Sequence, residues 1–401
     1  MRSRVRAVSS RRDAWLFLLL AAASLVLFGT SAGWERAVTD GLRGAGRVAG
    51  SRTWIGLTTL FFVFGTWRRL FARLSENGTG EAGAIGRLGM AAALSIGASA
   101  SASIYGASAL ARSRTQAERL RSARTTDALA APVCALSPFN QWGAFFVGLI
   151  AVQPSAAPPV WTLIGSLPFN LYSVVLLTLL SAWSLRAGGA RRRPAAARQP
   201  LPPGQAVMIL AVLSGTGLAA SRAVATGSGR ETVAWLVIGA AAGCAWGRRH
   251  AGPGALRTAA ERAFRPALSA SVFLFAILLL RSALGEGSPM PLPVAWSALP
   301  ATSAYVGAAF VSVLTGSSWT AAALMMPIAL ATAGADAPLL VGATIAGSVL
   351  GDHLAPHSDT SIMTAAATQV RLADHVRHQL PLGLAAAGAA LLGYVALDIH
   401  G

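Results

Sequence analysis

The sequence predicts an all-α polytopic membrane protein, with roughly 10–12 transmembrane helices in two related halves and broken or re-entrant helices among them. Three observations predict it. Hydrophobic residues fill 54% of the 401 positions and charged residues only 12%, about half the charged share of a soluble domain. Apolar runs of roughly 18–25 residues, the length of a bilayer crossing, recur from end to end. Several runs are interrupted by proline, glycine and carboxylates, which lipid tolerates only where the backbone lines a cavity or is wrapped by protein.

The 33 basic residues are all arginine, against 15 acids, for a net charge of +18. Arginine clusters at 68–73, 112–124, 186–198 and 371–377 lie between apolar runs, as cytoplasmic loops facing anionic lipid do. No nucleic-acid-binding motif accompanies them, so nucleic acid is excluded as a partner. Cys134 and Cys244 sit in separate apolar segments and imply no disulfide framework.

In chain order, a positive flank at 1–13 precedes the apolar run 14–33, which reads as a first transmembrane helix with a cytoplasmic N-terminus rather than a signal peptide. Residues 54–67 form a short apolar run bracketed by tryptophans. The Gly-, Ala- and Ser-rich run 82–111 is longer than one crossing needs and reads as a bent or re-entrant pair. Residues 125–152 combine Asp127, Pro132, Pro138 and Asn140 in an otherwise apolar span, with the prolines as expected helix breaks. Residues 158–185 cross back. The stretch 186–204, basic and proline-rich, reads as a linker between an N-terminal membrane half (1–185) and a C-terminal membrane half (205–401). In the second half, spans are expected at 205–221, 232–246, 267–284, 292–314, 318–333 and 338–350, with a last one at 380–399.

Residues 347–364, G-S-V-L-G-D-H-L-A-P-H-S-D-T-S-I-M-T, are the segment around which the chain is arranged. They hold Asp352, Asp359, His353 and His357 with four hydroxyls, and Pro356 forces a break near Ala355. Of the 15 acids, Asp127, Asp352 and Asp359 fall within apolar spans, where an ionisable group is a functional candidate by default. Helix capping is the bland role for Asp352 and Asp359, and a half-helix N-terminus inside a membrane is itself a binding element. His353 and His357 are spaced for a metal on an intact helix, but Pro356 between them favours hydrogen bonding to an aspartate and tuning of its proton instead. His375 and His378 are expected to play an interfacial structural role. T-G-S-S-W-T at 315–320 reads as a further helix interruption, and with the acids it offers a hard cation neutral oxygens. A short echo, D-A-L-A-A-P at 127–132 against D-H-L-A-P at 352–356, links the two halves.

The run G-D-H-L-A-P-H-S-D-T-S-I-M, followed by D-H-V-R-H-Q-L-P-L, resembles the NhaC-type sodium/proton antiporter family of the ion-transporter superfamily. T-G-S-S-W-T is similar to that family's T-G-T-S-W segment, and T-D-A-L-A-A-P-V with S-P-F-N-Q-W-G to its first-half broken helix. Relatives often carry an acidic pair where residues 97–105 here have none. The resemblance implies a secondary transporter, not an enzyme, that exchanges cytoplasmic sodium for protons across the plasma (inner) membrane. It would need no cofactor beyond the transported ions, its partners would be the bilayer and small cations, and a homodimer is left open. In that reading Asp352 and Asp359 bind the sodium ion or proton and no other metal. Thr315, Ser317, Ser318, Ser358 and Thr360 offer oxygens, and Asp127 and Asn140 face them from the other half. The alternatives are a sodium- or proton-coupled exchanger of an organic anion or amino acid, and a degenerate, non-transporting scaffold or sensor motivated by the missing first-half acids.

Overall fold

A computed structural model of the chain describes residues 42–47, 49–50, 115–138, 140–151, 158–188, 254–264, 298–331 and 336–400, with scattered positions at 55–104 and 234–275. The expected spans at 14–33, 54–67, 82–111, 205–221, 232–246 and 267–284 lie wholly or largely outside the described residues, as does the linker beyond Gly188. Among the described residues the regular elements are helices, with no strand.

Nine helices carry the argument: α1 Gln116–Ala135, α2 Gln141–Ala151, α3 Pro159–Ser166, α4 Leu171–Gly188, α5 Pro300–Thr315, α6 Ser318–Ala331, α7 Ala337–Leu354, α8 Asp359–Thr368 and α9 Leu372–His400. Their starts follow from local chemistry. Thr115 and Glu118 close a capping box on α1. Asn140 Oδ1 accepts the Gly143 N–H (2.9 Å) at the head of α2, and Ser317 Oγ accepts the Thr320 N–H (3.3 Å) at the head of α6. Proline stands in the first turn of α3, α5 and α7, where its missing N–H is no loss.

The stops are equally local. α5 ends on Gly316, which adopts a left-handed φ of 62° that costs glycine nothing. α7 ends at Leu354 ahead of Pro356. Three prolines, Pro132, Pro327 and Pro381, do not end their helices. α1 runs through Pro132 to Ala135, so the gap before α2 falls around Pro138. The Leu136 N–H still reaches the Pro132 carbonyl at 3.0 Å, so the proline costs α1 one ladder bond and not its last turn. The last helix likewise starts at Leu372 and passes through Pro381, so the basic run and the final apolar run are one element.

α7 (Ala337–Leu354) and α9 (Leu372–His400) are each long and apolar enough to cross a membrane. α3 with its trailing turn and α4 pass that test together as a pair bent by 48°. α7 is the centre: 78% of its apolar window is buried, against 22% for α9. It packs against α1, α3, α4, α5, α6, α8 and α9. Against α5 the approach is closest, because a Cβ on Gly351 would overlap Ser312 and one on Gly347 would overlap the Tyr305 carbonyl. The two chain interruptions, α5–α6 and α7–α8, therefore lie side by side.

Candidate functional site

The interruptions are tied to each other. His357 Nε2 lies 3.1 Å from the Leu314 carbonyl and so donates to the last turn of α5. Gly316 leaves room for this contact, since a Cβ there would lie 2.5 Å from the His357 ring. Around the crossing, four helix ends converge: the C-termini of α5 and α7 and the N-termini of α6 and α8. Trp319, one residue into α6, packs on Phe145 and Trp142 of α2 with ring centroids 4.4 and 5.7 Å apart, which fixes the head of α6.

Asp352 lies in the last turn of α7, 2% exposed. Ser318, the first residue of α6, lies beside its carboxylate, with its hydroxyl and main-chain N–H close enough to act on the charge. The α6 N-terminus thus faces a negative charge, the arrangement its dipole favours. Asp352 Oδ2 is buried and has no hydrogen-bond partner. The Asp352 main-chain carbonyl accepts from Ser361 (3.0 Å) and Thr360 (3.3 Å), and the His353 carbonyl accepts from Gln379 Nε2 (2.9 Å). Side chains of α8 and α9 therefore satisfy the carbonyls that the break at Pro356 releases.

Asp127, on α1, is 0% exposed. Its carboxylate accepts from His375 Nε2 (2.9 Å), the Ser361 hydroxyl (3.1 Å) and the Thr364 hydroxyl (3.3 Å). Ser361 has one proton and two acceptors, Asp127 Oδ2 and the Asp352 carbonyl, so it links the two acids as alternatives. Gln379 Nε2 also reaches Ser361 Oγ, at 3.1 Å. His353 contacts the Asp127 carbonyl through Nε2 (3.2 Å) and the Tyr172 hydroxyl through Nδ1 (3.0 Å). A carbonyl can only accept, so Nε2 carries the proton and Nδ1 accepts from Tyr172.

The candidates named from sequence divide by place. Asp127, Asp352, Ser318, Ser358 and Thr360 are buried around the crossing. Asp359 is exposed in the first turn of α8, outside this buried set but near enough for its charge to act on Asp352. Thr315 and Ser317 are half-buried and spend their hydroxyls on the break, Thr315 on the Val311 carbonyl (2.8 Å) and Ser317 on its cap. Ser358 Oγ and Thr360 Oγ1 bond each other at 3.0 Å. Asn140 does not face the acids: its Nδ2 donates to the Ser95 and Cys134 carbonyls (2.9 Å each) while its Oδ1 caps α2. His353 meets the Asp127 main chain and not a carboxylate, and His357 is exposed and serves the α5 break. Pro132 lies within α1, Pro138 between α1 and α2, and Pro356 between α7 and α8.

His375 departs from its expected interfacial place: it is 0% exposed and pairs with Asp127. Ser361 and Thr364, two of the four hydroxyls of the 347–364 segment, bind Asp127, and Gln379 and Tyr172 also belong to the network without having been singled out. The signal for His375 and Gln379 was present, since they are four residues apart and share one helix face. Tyr172 carried no such signal, because it comes from a helix 181 residues away from His353.

Comparison with known proteins matches this region. The profile described as the Na+/H+ antiporter family matches residues 296–399. An uncharacterized protein of Haemophilus influenzae is 40% identical over 101 residues, covering 24% of this chain and 19% of that protein. The arginine/ornithine antiporter ArcD of Halobacterium salinarum is 33% identical over 124 residues, 28% of this chain and 25% of ArcD. An uncharacterized Na+/H+ antiporter of Haemophilus influenzae is 34% identical over 125 residues, 28% of this chain and 26% of that protein. The chain spans between about a fifth and about a quarter of the length of these relatives. The YdaH transporter of Alcanivorax borkumensis aligns over 96% of both chains at 14% identity and a TM-score of 0.44, too loose a likeness to carry an argument.

Proposed function

We propose that the chain is a secondary active antiporter of the plasma membrane, with a cytoplasmic N-terminus, in which Asp352 holds a sodium ion and a proton in alternation. One observation carries this reading: Asp352 is buried, with one carboxylate oxygen unpartnered, where two interrupted helices meet. An isolated buried carboxylate costs several kcal/mol unless something positive neutralises it. A proton and a sodium ion neutralise the same charge, so they compete for it, and competition at a site that opens to each side in turn couples their gradients. Ser318 orients the acceptor, and Thr360 and Ser358 are the nearby hydroxyls a hard cation would take as further oxygens. Asp127, held by three side-chain donors, is the structural counter-charge in this reading.

Purified chain in proteoliposomes tests it. An imposed sodium gradient is expected to move protons without any organic solute, and Asp352→Asn is expected to abolish that movement. Wild-type exchange in the variant, or none in the wild type, overturns the reading. The match to ArcD favours a second reading, exchange of a cationic or zwitterionic amino acid whose ammonium group would take the place of sodium at Asp352. Proton or counter-solute movement that requires an added amino acid separates it from the first.

A further inference from the structure

One turn before Asp127 on α1 stands Arg124, and one turn beyond His375 on α9 stands His378. Both are half-buried, and Arg124 Nε and His378 Nε2 are buried atoms without a hydrogen-bond partner. The Arg124 guanidinium lies 3.9 Å over the Trp183 ring of α4. Arg121, Arg124 and His375 are the charged and titratable neighbours that act on His378. Among the described residues no carboxylate pairs with Arg121, Arg124 or His378: Asp374 meets Arg371 at 3.9 Å and Asp127 meets His375. α1, α4 and α9 pack together here, so the arginines of α1 and the basic start of α9 come to one end of the bundle.

A guanidinium over an aromatic ring, with a second guanidinium and an imidazole beside it and two buried nitrogens left without partners, forms an arrangement completed by an anion. We propose that Arg124 and His378, with Arg121 beside them and Trp183 as the floor, bind an oxyanion, a carboxylate or phosphate group, at the end of the bundle where α1, α4 and α9 meet. The planar guanidinium presents paired donors to such a group. The group can come from an anionic lipid headgroup or from a soluble anion, and the site does not depend on the antiport reading.

The full chain in phosphatidylcholine nanodiscs distinguishes the sources. In one arm phosphatidylglycerol replaces part of the lipid; in the other, succinate or inorganic phosphate is added against potassium chloride of equal ionic strength. The unfolding midpoint of the wild type is expected to rise in one arm, naming the source. Arg124→Gln and His378→Gln are expected to weaken the apparent affinity about tenfold or more, as loss of a charge-assisted hydrogen bond does. Should Arg124→Gln fail to fold, His378→Gln, at a half-exposed position, decides alone. A wild type indifferent to both arms, or variants that respond as the wild type does, overturn the proposal.

Discussion

Asp127 and Asp352 are both buried carboxylates, and they are satisfied in opposite ways. Asp127 accepts from His375, Ser361 and Thr364, whereas Asp352 has Ser318 on one side and a bare oxygen on the other. Removing His375 should therefore be costly. His375→Ala is expected to destabilise the protein by about 3–5 kcal/mol, as breaking a buried pair does, seen as a drop in unfolding midpoint. His375→Gln, which restores an N–H donor, is expected to recover much of it. Asp352→Asn removes a charge that nothing on the protein pairs, so it should fold and lose exchange. Asp359→Asn, at an exposed position, should keep most of the flux, and a flux assay of the two variants side by side checks the contrast.

Between residues and fold stand the two chain interruptions. Sequence reasoning located them because proline and glycine act locally: Pro356 stops α7, and Gly316 turns the chain out of α5. It misjudged Pro132, whose helix continues because neighbouring packing holds the turn that one missing bond loosens. Gly316→Ala is expected to cost about 1–2 kcal/mol for the left-handed backbone alone, and more because its Cβ would press on the His357 ring. Thermal unfolding of the variant measures this. The bend between α3 and α4 has its own device. Tyr394 of α9 donates to the Phe169 carbonyl (2.6 Å) and accepts the Leu171 N–H (3.1 Å). Tyr394→Phe strips both partners and should cost about 1–3 kcal/mol, read by the same measurement.

Across the whole molecule, α9 is the strap. Asp398 near its end accepts the Ala301 and Thr302 N–H groups at 2.9 and 2.8 Å, capping α5 from 97 and 96 residues away. Asp398→Ala is expected to lower stability by about 1 kcal/mol, as the loss of a helix cap does, again visible in the unfolding midpoint. Nothing local in the sequence marks Asp398 as a cap, since the helix it serves lies so far back along the chain. The same limit hid Tyr172. The helical class, the two broken segments and the buried Asp127 and Asp352 were legible because composition, proline placement and acids in apolar runs are properties of short windows. The grip on Asp127 also bears on how the protein is made. Its three side-chain partners follow it by 234, 237 and 248 residues. At roughly 5–20 residues per second, the ribosome delivers the last of them some 12–50 s after Asp127 itself. Through that interval the nascent first half carries a carboxylate whose native partners do not yet exist, so the insertion machinery, water or a borrowed proton must shelter it until the tail of the polypeptide arrives.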